Sequence, residues 1–379
     1  MADASRTQIY YGAESTWGTA STAAYTEFRF TGESLGQNTT YINSNEIRSD
    51  RQLTDVIRTD VNAAGAVNIE LSYGAFDDIY EGLFASDFGA NVNISSTAVT
   101  ASSTAATFSG ADFSSVTAGQ FVKVGSTATD VDGYYRATAS STDTLTVEPA
   151  PADLSPTAAG LTFKGAFLKN GTTEKSFTLE KKFDDITRFI TFAGMRVGSG
   201  SLSIVPGQIV TGSFDFLGKS GTASTAATAP STTAAATNSI VNAVDNVKAV
   251  LEGGIATTLD VTEITMNVTN NLRSLQAVAN LGSVEIGYGR VNVSGTFSAY
   301  FENETLYNKY LNDTETDIAF VVEDASGNAL AFDFPRAKLS NGQVVATGND
   351  TDVIAQFDFT AFRDATNDLT VGLTRISST

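Results

Sequence analysis

The sequence predicts a mainly β protein with a duplicated β-sandwich, one α-helix beside each copy, and an inserted small domain of β-barrel or immunoglobulin-like type. Three observations support this. Thr, Ser, Ala, Gly and Val dominate, and apolar residues alternate with polar ones between Gly and Asn turns, which is typical of strands. The chain twice runs from a strand directly into an amphipathic helix. It also contains two Ser/Thr/Ala-rich segments that separate bodies of similar content.

The first copy of the pattern has the strand AVNIELS leading into YGAFDDIYEGLFAS. Asp77 and Asp78 stand early in the helix, where the helix dipole favours negative charge. The apolar residues at helical spacing predict one buried face. That face comprises Phe76, Ile79, Tyr80, Leu83 and Phe84.

The second copy has the strand RVNVSGTFS leading into AYFENETLYNKYLND. Its predicted apolar stripe is Leu306, Tyr307, Tyr310 and Leu311. Each copy then returns to a Phe-Asp-Phe triplet, residues 214–216 in the first and 357–359 in the second. The matching order predicts a structural duplication. Chance recurrence of β patterning is the alternative.

These patterns define four predicted regions of the chain. Residues 1–90 and 166–219 form the first sandwich, and residues 91–165 form the inserted domain between a helix and the following strand. Residues 220–245 are a linker, since Ser220 to Ser239 carries no charge and no large apolar side chain with which to build a core. Residues 246–379 form the second sandwich.

A charged stretch, NEIRSDRQLTDVIRTD, occupies Asn45 to Asp60. A second long connection, Asn267 to Gly289, occupies the corresponding place in the other copy. Long connections of this kind are usually functional. The alternative is a solvated loop whose charges pair with each other.

Composition argues against an enzyme. The 379 residues include no Cys and no His, so disulfides, thiolate chemistry, the usual general base and the usual zinc ligand are excluded. The neighbouring pairs Asp77/Asp78 and Asp184/Asp185 are explained by a helix start and a turn. We therefore predict no catalytic, cofactor-binding or metal-binding residue. The net charge of −19 opposes tight binding to nucleic acid phosphates.

Several spaced segments resemble one family. They include YYGAESTWGTA near the start, VNIELSYGAFDDIYEGLFAS, IVPGQIVTGSFDFLGKSG and IGYGRVNVSGTFSAYFENETLYNKYLN. Together they resemble the tail tube proteins of long, non-contractile-tailed bacteriophages. The resemblance implies a structural virion protein whose sandwiches join edge to edge into rings. The rings stack into a hollow tube that holds the tape-measure protein and then conducts DNA.

The resemblance also implies partners and a location. The partners are other copies of this chain, the tape-measure protein, and the tail terminator and tail-tip proteins. DNA would pass through the lumen without tight binding. The protein would be assembled in the host bacterial cytoplasm and reside in the virion tail, with no membrane contact, since we expect neither a signal peptide nor a membrane span. The inserted domain would lie on the tube exterior.

In such proteins a long loop reaches the neighbouring ring, which gives the charged stretch a role as an inter-ring contact. The residues assigned to it are Glu46, Arg48, Asp50, Arg51, Asp55, Arg58 and Asp60.

Two sandwiches per chain favour trimeric rings with pseudo-sixfold symmetry. Hexameric rings are the alternative arrangement. The alternative function is a capsid decoration protein or another self-assembling β-rich surface or fibre protein. The expected absence of an export signal argues against the fibre, and a decoration protein would not require a duplicated body with paired long loops.

Overall fold

The computed structural model describes residues 3–125, 130–156, 160–257, 259–346 and 348–378. The chain is mainly β, as predicted. A short 3-10 helix, Ala4–Arg6, precedes the first strand. The strands before the first helix are β1 (Thr7–Ala13), β2 (Tyr25–Glu27), β3 (Gly32–Glu33), β4 (Gly36–Asn43) and β5 (Val56–Glu70). Helix α1 (Asp77–Phe84) follows.

The next strands belong to the inserted region and the rest of the first half. They are β6 (Val92–Ser96), β7 (Thr100–Ser102), β8 (Thr107–Ser109), β9 (Phe121–Gly125), β10 (Gly133–Ser140), β11 (Thr144–Glu148), β12 (Leu161–Lys169), β13 (Phe177–Phe183), β14 (Arg188–Ile204), β15 (Thr211–Gly218), β16 (Ser220–Ser224) and β17 (Thr232–Thr233).

The remaining elements form the second half. They are β18 (Val247–Glu252), β19 (Ile255–Ala256), β20 (Val261–Thr269), β21 (Arg273–Gln276), β22 (Ser283–Gly287), β23 (Asn292–Tyr300), helix α2 (Thr305–Leu311), β24 (Glu315–Glu323), β25 (Ala329–Val345), β26 (Ile354–Ala361) and β27 (Gly372–Ile376).

One antiparallel sheet runs through both halves of the chain, and we call it the shared sheet. Its strand order is β4–β5–β15–β14–β20–β23–β26–β25. The junction between the halves is the pairing of β14 with β20. The first four strands and the last four thus follow corresponding orders around one internal junction, and this supports the predicted duplication.

A second layer covers each half of the shared sheet. In the first half β13 and β16 pair with the beginning of β14, and in the second half β24 and β27 pair with the beginning of β25. Both β14 and β25 are 17 residues long, so each begins in the outer layer and ends in the shared sheet. Register shifts in the middle of these strands accompany the change of layer, since bulges bend a strand.

The main core lies between these layers. Phe214, Phe216, Phe357 and Phe359 point into it, while the aspartate of each Phe-Asp-Phe triplet points to the opposite face, because successive strand residues alternate. The predicted apolar face of α1 is buried throughout.

Helix α2 departs from the prediction at one residue. Leu306 is buried, and Tyr307 and Tyr310 are half-buried against the core. Leu311 is 60% exposed, so its assignment to the buried stripe is wrong. It is the last residue of a seven-residue helix, two positions before Asp313, whose φ of 52° lies in the left-handed region and breaks the helical path.

The inserted region builds its own core, in which Phe163 packs against Phe108 and Phe113 in edge-to-face geometry. Strand β12 joins this region to the rest of the chain. Its residues 161–165 pair with β6, and its residues 166–169 pair with β27 of the second half. The exact domain limits stay a prediction.

Residues 220–239 differ from the expected flexible connection. Ser220–Ser224 forms β16 along β14, and Thr232–Thr233 forms β17 beside β2. Strand pairing uses backbone groups, which small side chains leave accessible. A low-complexity composition therefore did not prevent this segment from forming strands.

Gly295, in β23, is required by close packing. A Cβ atom there would lie 2.0 Å from the carbonyl oxygen of Thr265 and 2.6 Å from the Phe359 ring. We expect Gly295→Ala to lower the free energy of unfolding by about 3 kcal/mol, as overpacking does in a dense core. Urea denaturation measures this change. Gly348→Ala is the control, because nothing lies within 4 Å of a Cβ atom at Gly348. Equal stability of the two variants would contradict the packing described.

Candidate assembly surfaces

Among the described residues, the shared sheet ends in two edges without a partner strand. Strand β4 pairs with β5, and no other described strand pairs with it. The end of β25, residues 339–345, pairs with β26 on one side, and in the described part of the chain no strand pairs with its other side. The corresponding end of β14 pairs on both sides, with β15 and with β20. Unpaired edges offer backbone donors and acceptors to another chain.

The face of the shared sheet that points away from the core is polar, and we call it the open face. A groove of about 640 Å³ lies on it. The groove is lined mainly by small polar side chains, among them Asn68, Ser199, Ser201, Thr265 and Asn267.

Two aspartates occupy matching positions on this face. Asp215 in β15 lies opposite Ser199 and accepts a hydrogen bond from its hydroxyl. Asp358 in β26 lies opposite Ser340 and accepts a hydrogen bond from the side-chain amide of Asn341 at 2.7 Å. The open face therefore presents hydroxyl, amide and carboxylate groups.

The first of two hairpin arms, residues 40–58, is exposed along nearly its whole length. Its loop covers residues 44–55, so Arg58 and Asp60 of the predicted contact loop lie in strand β5. Arg48 and Asp50 form a hydrogen-bonded ion pair of 2.8 Å. The hydrogen bond from the Arg48 guanidinium holds the pKa of Asp50 below its usual value. Among the described residues, the other charged members of the predicted set have no ion-pair partner; they are Glu46, Arg51, Asp55, Arg58 and Asp60.

The second arm, residues 271–288, contains the hairpin of β21 and β22 and packs against the first half of the chain. Ile286 is fully buried, and its carbonyl accepts a hydrogen bond from the buried guanidinium of Arg196. The Tyr288 ring lies 5.3 Å from that guanidinium, and burial raises the pKa of Tyr288 to about 12. The Tyr288 hydroxyl donates to the carbonyls of Gly82 and Lys175.

Both arms carry exposed apolar side chains that the charge-based reading did not predict. Ile47 at the tip of the first arm is 99% exposed, and Val278 in the second arm is 97% exposed. Leu53 and Leu281 are about half exposed, at 54% and 48%. Apolar residues in polar loops are the sequence signal for such contact sites, since large exposed apolar groups favour association.

The inserted region is fastened to the second half by buried charges. Arg136 of β10 contacts Asp317 and Asp333 at 2.7 Å each. Burial alone would lower the pKa of Arg136, but the two carboxylates outweigh it and raise that pKa. Burial raises the pKa of Asp333 to about 6. Lys123 adds an ion pair of 2.6 Å with Glu323.

The carboxylate pairs considered as catalytic candidates have structural partners. Asp77 pairs with Arg375, and Asp78 accepts a hydrogen bond from the Tyr11 hydroxyl at 3.2 Å. Asp184 pairs with Arg6 and Lys182, and Asp185 accepts a hydrogen bond from the backbone amide of Asp3.

The described residues contain neither a cluster of metal ligands nor a membrane-spanning helix. Within the described ranges, no group of three or more Asp or Glu side chains is placed to hold a metal ion. No described helix is long and apolar enough to cross a membrane.

Two sheet edges without a described partner strand, two hairpin arms and a polar open face are features of a structural β protein. The chain belongs to a family that this description fits: the family model for phage tail tube proteins matches residues 4–361. The family is structural, which implies self-assembly into a tube and a place in the virion tail. No curated protein matched the chain.

Proposed function

We propose that three chains close into a ring with pseudo-sixfold symmetry and that such rings stack into the hollow tail tube. The observation that carries this proposal is the shared sheet, which continues through both halves and ends in an unpaired edge on each side. Head-to-tail pairing of these edges around a closed ring leaves no edge exposed. With eight strands per chain, three chains give a barrel of 24 strands (3 × 8).

The open face lines the lumen in this arrangement. Its aspartates repel DNA phosphates and the other side chains that line its groove carry no positive charge, so DNA passes without stalling. The same channel houses the tape-measure protein before ejection. Terminator and tip proteins bind the two ends of the tube, and the inserted region lies outside. Assembly takes place in the host bacterial cytoplasm.

The arms connect one ring to the next. Their exposed apolar tips, Ile47 and Val278, supply buried contact area, and the charges of the first arm select the register. This retains the predicted inter-ring role of the charged residues, which are Glu46, Arg48, Asp50, Arg51, Asp55, Arg58 and Asp60.

Electron microscopy of the purified, assembled protein tests the proposal. We expect stacked hollow rings whose end-on averages show threefold modulation of a sixfold outline. True sixfold rings would replace the trimer by a hexamer and keep the tube. Solid fibres or sheets without a channel would contradict the proposed conduit.

The character of the open face leads to a prediction about DNA. We expect Asp215→Lys with Asp358→Lys to tighten DNA binding of the unassembled chain about tenfold at low salt, with the gain lost as salt rises. Fluorescence anisotropy with labelled duplex DNA measures it. Asp132→Lys with Asp143→Lys, two exposed sites in the inserted region, changes the net charge equally and serves as the control. A similar gain in both double variants would contradict a special role of the open face.

A further inference from the structure

We infer that the contact between neighbouring chains repeats the junction inside the chain, with Gly36–Thr39 of one chain paired antiparallel to Leu339–Gln343 of the next and Asn38 opposite Ser340. The extra residue on the β25 side lies in the bulge of β25 between Ser340 and Gln343. This inference rests on the proposed ring and adds its register. The occupant of each unpaired edge is a second copy of this chain.

The internal junction supplies the template. In the pairing of β14 with β20, Ser199 lies opposite Thr269. The amide of Asn270 donates to the carbonyl of Gly198 at 2.8 Å. The next pair along, Ser199 and Thr269, is therefore a non-hydrogen-bonded pair, because the two kinds alternate in antiparallel strands.

In the contact between chains, β25 takes the place that β14 has in the internal junction. Ser199 of β14 lies opposite Asp215, and Ser340 of β25 lies opposite Asp358. Both aspartates are the middle residues of the Phe-Asp-Phe triplets. Ser340 in β25 therefore corresponds to Ser199 in β14. Strand β20 lies beside Ser199, whereas no described strand lies beside Ser340 on the corresponding side.

In the same contact, β4 takes the place that β20 has in the internal junction. The amide of Ala66 donates to the hydroxyl of Ser34 at 2.9 Å, and the amide of Thr296 donates to the hydroxyl of Thr265 at the same distance. Each amide belongs to the residue that follows a glycine, and a Cβ atom on that glycine would collide with the backbone oxygen of the same Ser or Thr residue.

We count from this shared feature along β4 paired with β5, and along β20 paired with β23. The count identifies the residue of β20 that corresponds to Asn38 of β4. Asn38 lies opposite Asn62 in β5, as Thr269 lies opposite Asn292 in β23. Asn38 is thus the counterpart of Thr269. Asn38 and Ser340 are both exposed in the single chain.

An ion pair marks one end of the new junction. The amide of Leu35 donates to Glu33 at 2.7 Å, and the carbonyl of Leu35 accepts from Lys181 at 3.0 Å. Lys181 and Glu33 pair with each other at 2.7 Å. Because side chains already hold the polar groups of Leu35, the backbone pairing between chains begins at Gly36.

The arms provide a second, independent correspondence. Ile42 pairs with Ile57 in the first arm, as Arg273 pairs with Gly287 in the second. Ile286, just before Gly287, is fully buried against the first half, whereas Val56, just before Ile57, is 49% exposed. In the inferred contact, the second half of the next chain packs against the base of the first arm, as the first half of the same chain packs against the second arm.

Disulfide trapping tests the register, and the absence of Cys from the sequence makes the readout clean. We expect Asn38→Cys with Ser340→Cys, once assembled and mildly oxidised, to migrate as covalent dimers and closed trimers in denaturing gels. Non-hydrogen-bonded pairs have Cα atoms about 4.5 Å apart, within the range for a disulfide. Ser199→Cys with Thr269→Cys is the template control, which should oxidise within single chains.

Two further samples sharpen the test. A mixture of chains carrying only Asn38→Cys with chains carrying only Ser340→Cys should give dimers, whereas each alone should not. Asn38→Cys with Val345→Cys is shifted in register and should remain monomeric.

The outcomes separate the register from the proposed function. Rings in the microscope without cross-links at Asn38 and Ser340, while the template control oxidises, would overturn the register and leave the tube intact. Equal cross-linking of the shifted pair would also overturn it. A ladder that extends to closed hexamers would support the register with six chains in the ring. Failure of the unmodified chain to form rings would count against the proposed function itself.

Discussion

Replacing Arg136 by Met lowers the free energy of unfolding by about 3–5 kcal/mol, because it leaves buried carboxylates without their partner. Asp333 is 1% exposed and Asp317 13% exposed, so water cannot take the place of the guanidinium. Urea denaturation at pH 7.5 measures the loss. Arg363→Met is the matched control: its ion pair with Asp368 is exposed, so solvent screens it and its loss should change stability little.

The loss should depend on pH in a defined direction. Asp333 has a pKa raised to about 6 in the folded protein, above its ordinary value of 3.8. Folding therefore takes up a proton between these pH values, and the contribution of Asp333 to stability increases as pH falls through that window. The cost of Arg136→Met should shrink at pH 5, where the carboxyl group is mostly neutral. An equal loss at both pH values would mean that Asp333 is not the group left unpaired.

Changing both arm tips, Ile47→Asp with Val278→Asp, should leave folding intact and weaken the association of one ring with the next roughly tenfold or more, which corresponds to at least about 1.4 kcal/mol for the double change and lowers the yield of long tubes. In the single chain both side chains are almost fully exposed, so folding changes by less than about 0.5 kcal/mol. In a stacked tube the new carboxylates would be buried against the next ring without partners. Sedimentation and negative-stain microscopy measure the ratio of tubes to single rings.

Ile255→Asp provides the control for this double variant. Ile255 is 64% exposed and lies outside both arms. Its substitution should leave tube length unchanged. Long tubes from the arm variant would contradict an apolar contact between rings.

Local periodicity predicted a large part of this fold. The alternation in QIVTGSFDFLG placed Phe214 and Phe216 in the core, and the spacing in YGAFDDIYEGLFAS placed the α1 side chains there as well. These features depend on neighbours in sequence. The exposure of Leu311 depends on where α2 ends, which the spacing of its apolar stripe does not encode.

Long-range contacts were beyond such patterns. Arg136 contacts Asp333, which lies 197 residues away in the sequence, and the local sequence around either residue does not indicate this contact. The strands in residues 220–239 arise from backbone pairing with β14 and β2, so their side chains carry no signal. The predicted contact loop lies in the exposed first arm, and its inter-ring role stays a prediction. Its charges drew attention away from the apolar tip at Ile47.

The junction between β14 and β20 has a consequence for the kinetics of assembly. Covalent continuity through residues 205–260 makes every second junction of the proposed ring unimolecular, with a high effective concentration of its partners. Ring formation then needs encounters among three bodies where separate sandwiches would need six, so its rate depends less steeply on protein concentration. The two halves are also free to differ. With the inserted region in only one of them, the proposed ring of three chains would present three outer lobes and, between them, three sectors without a lobe.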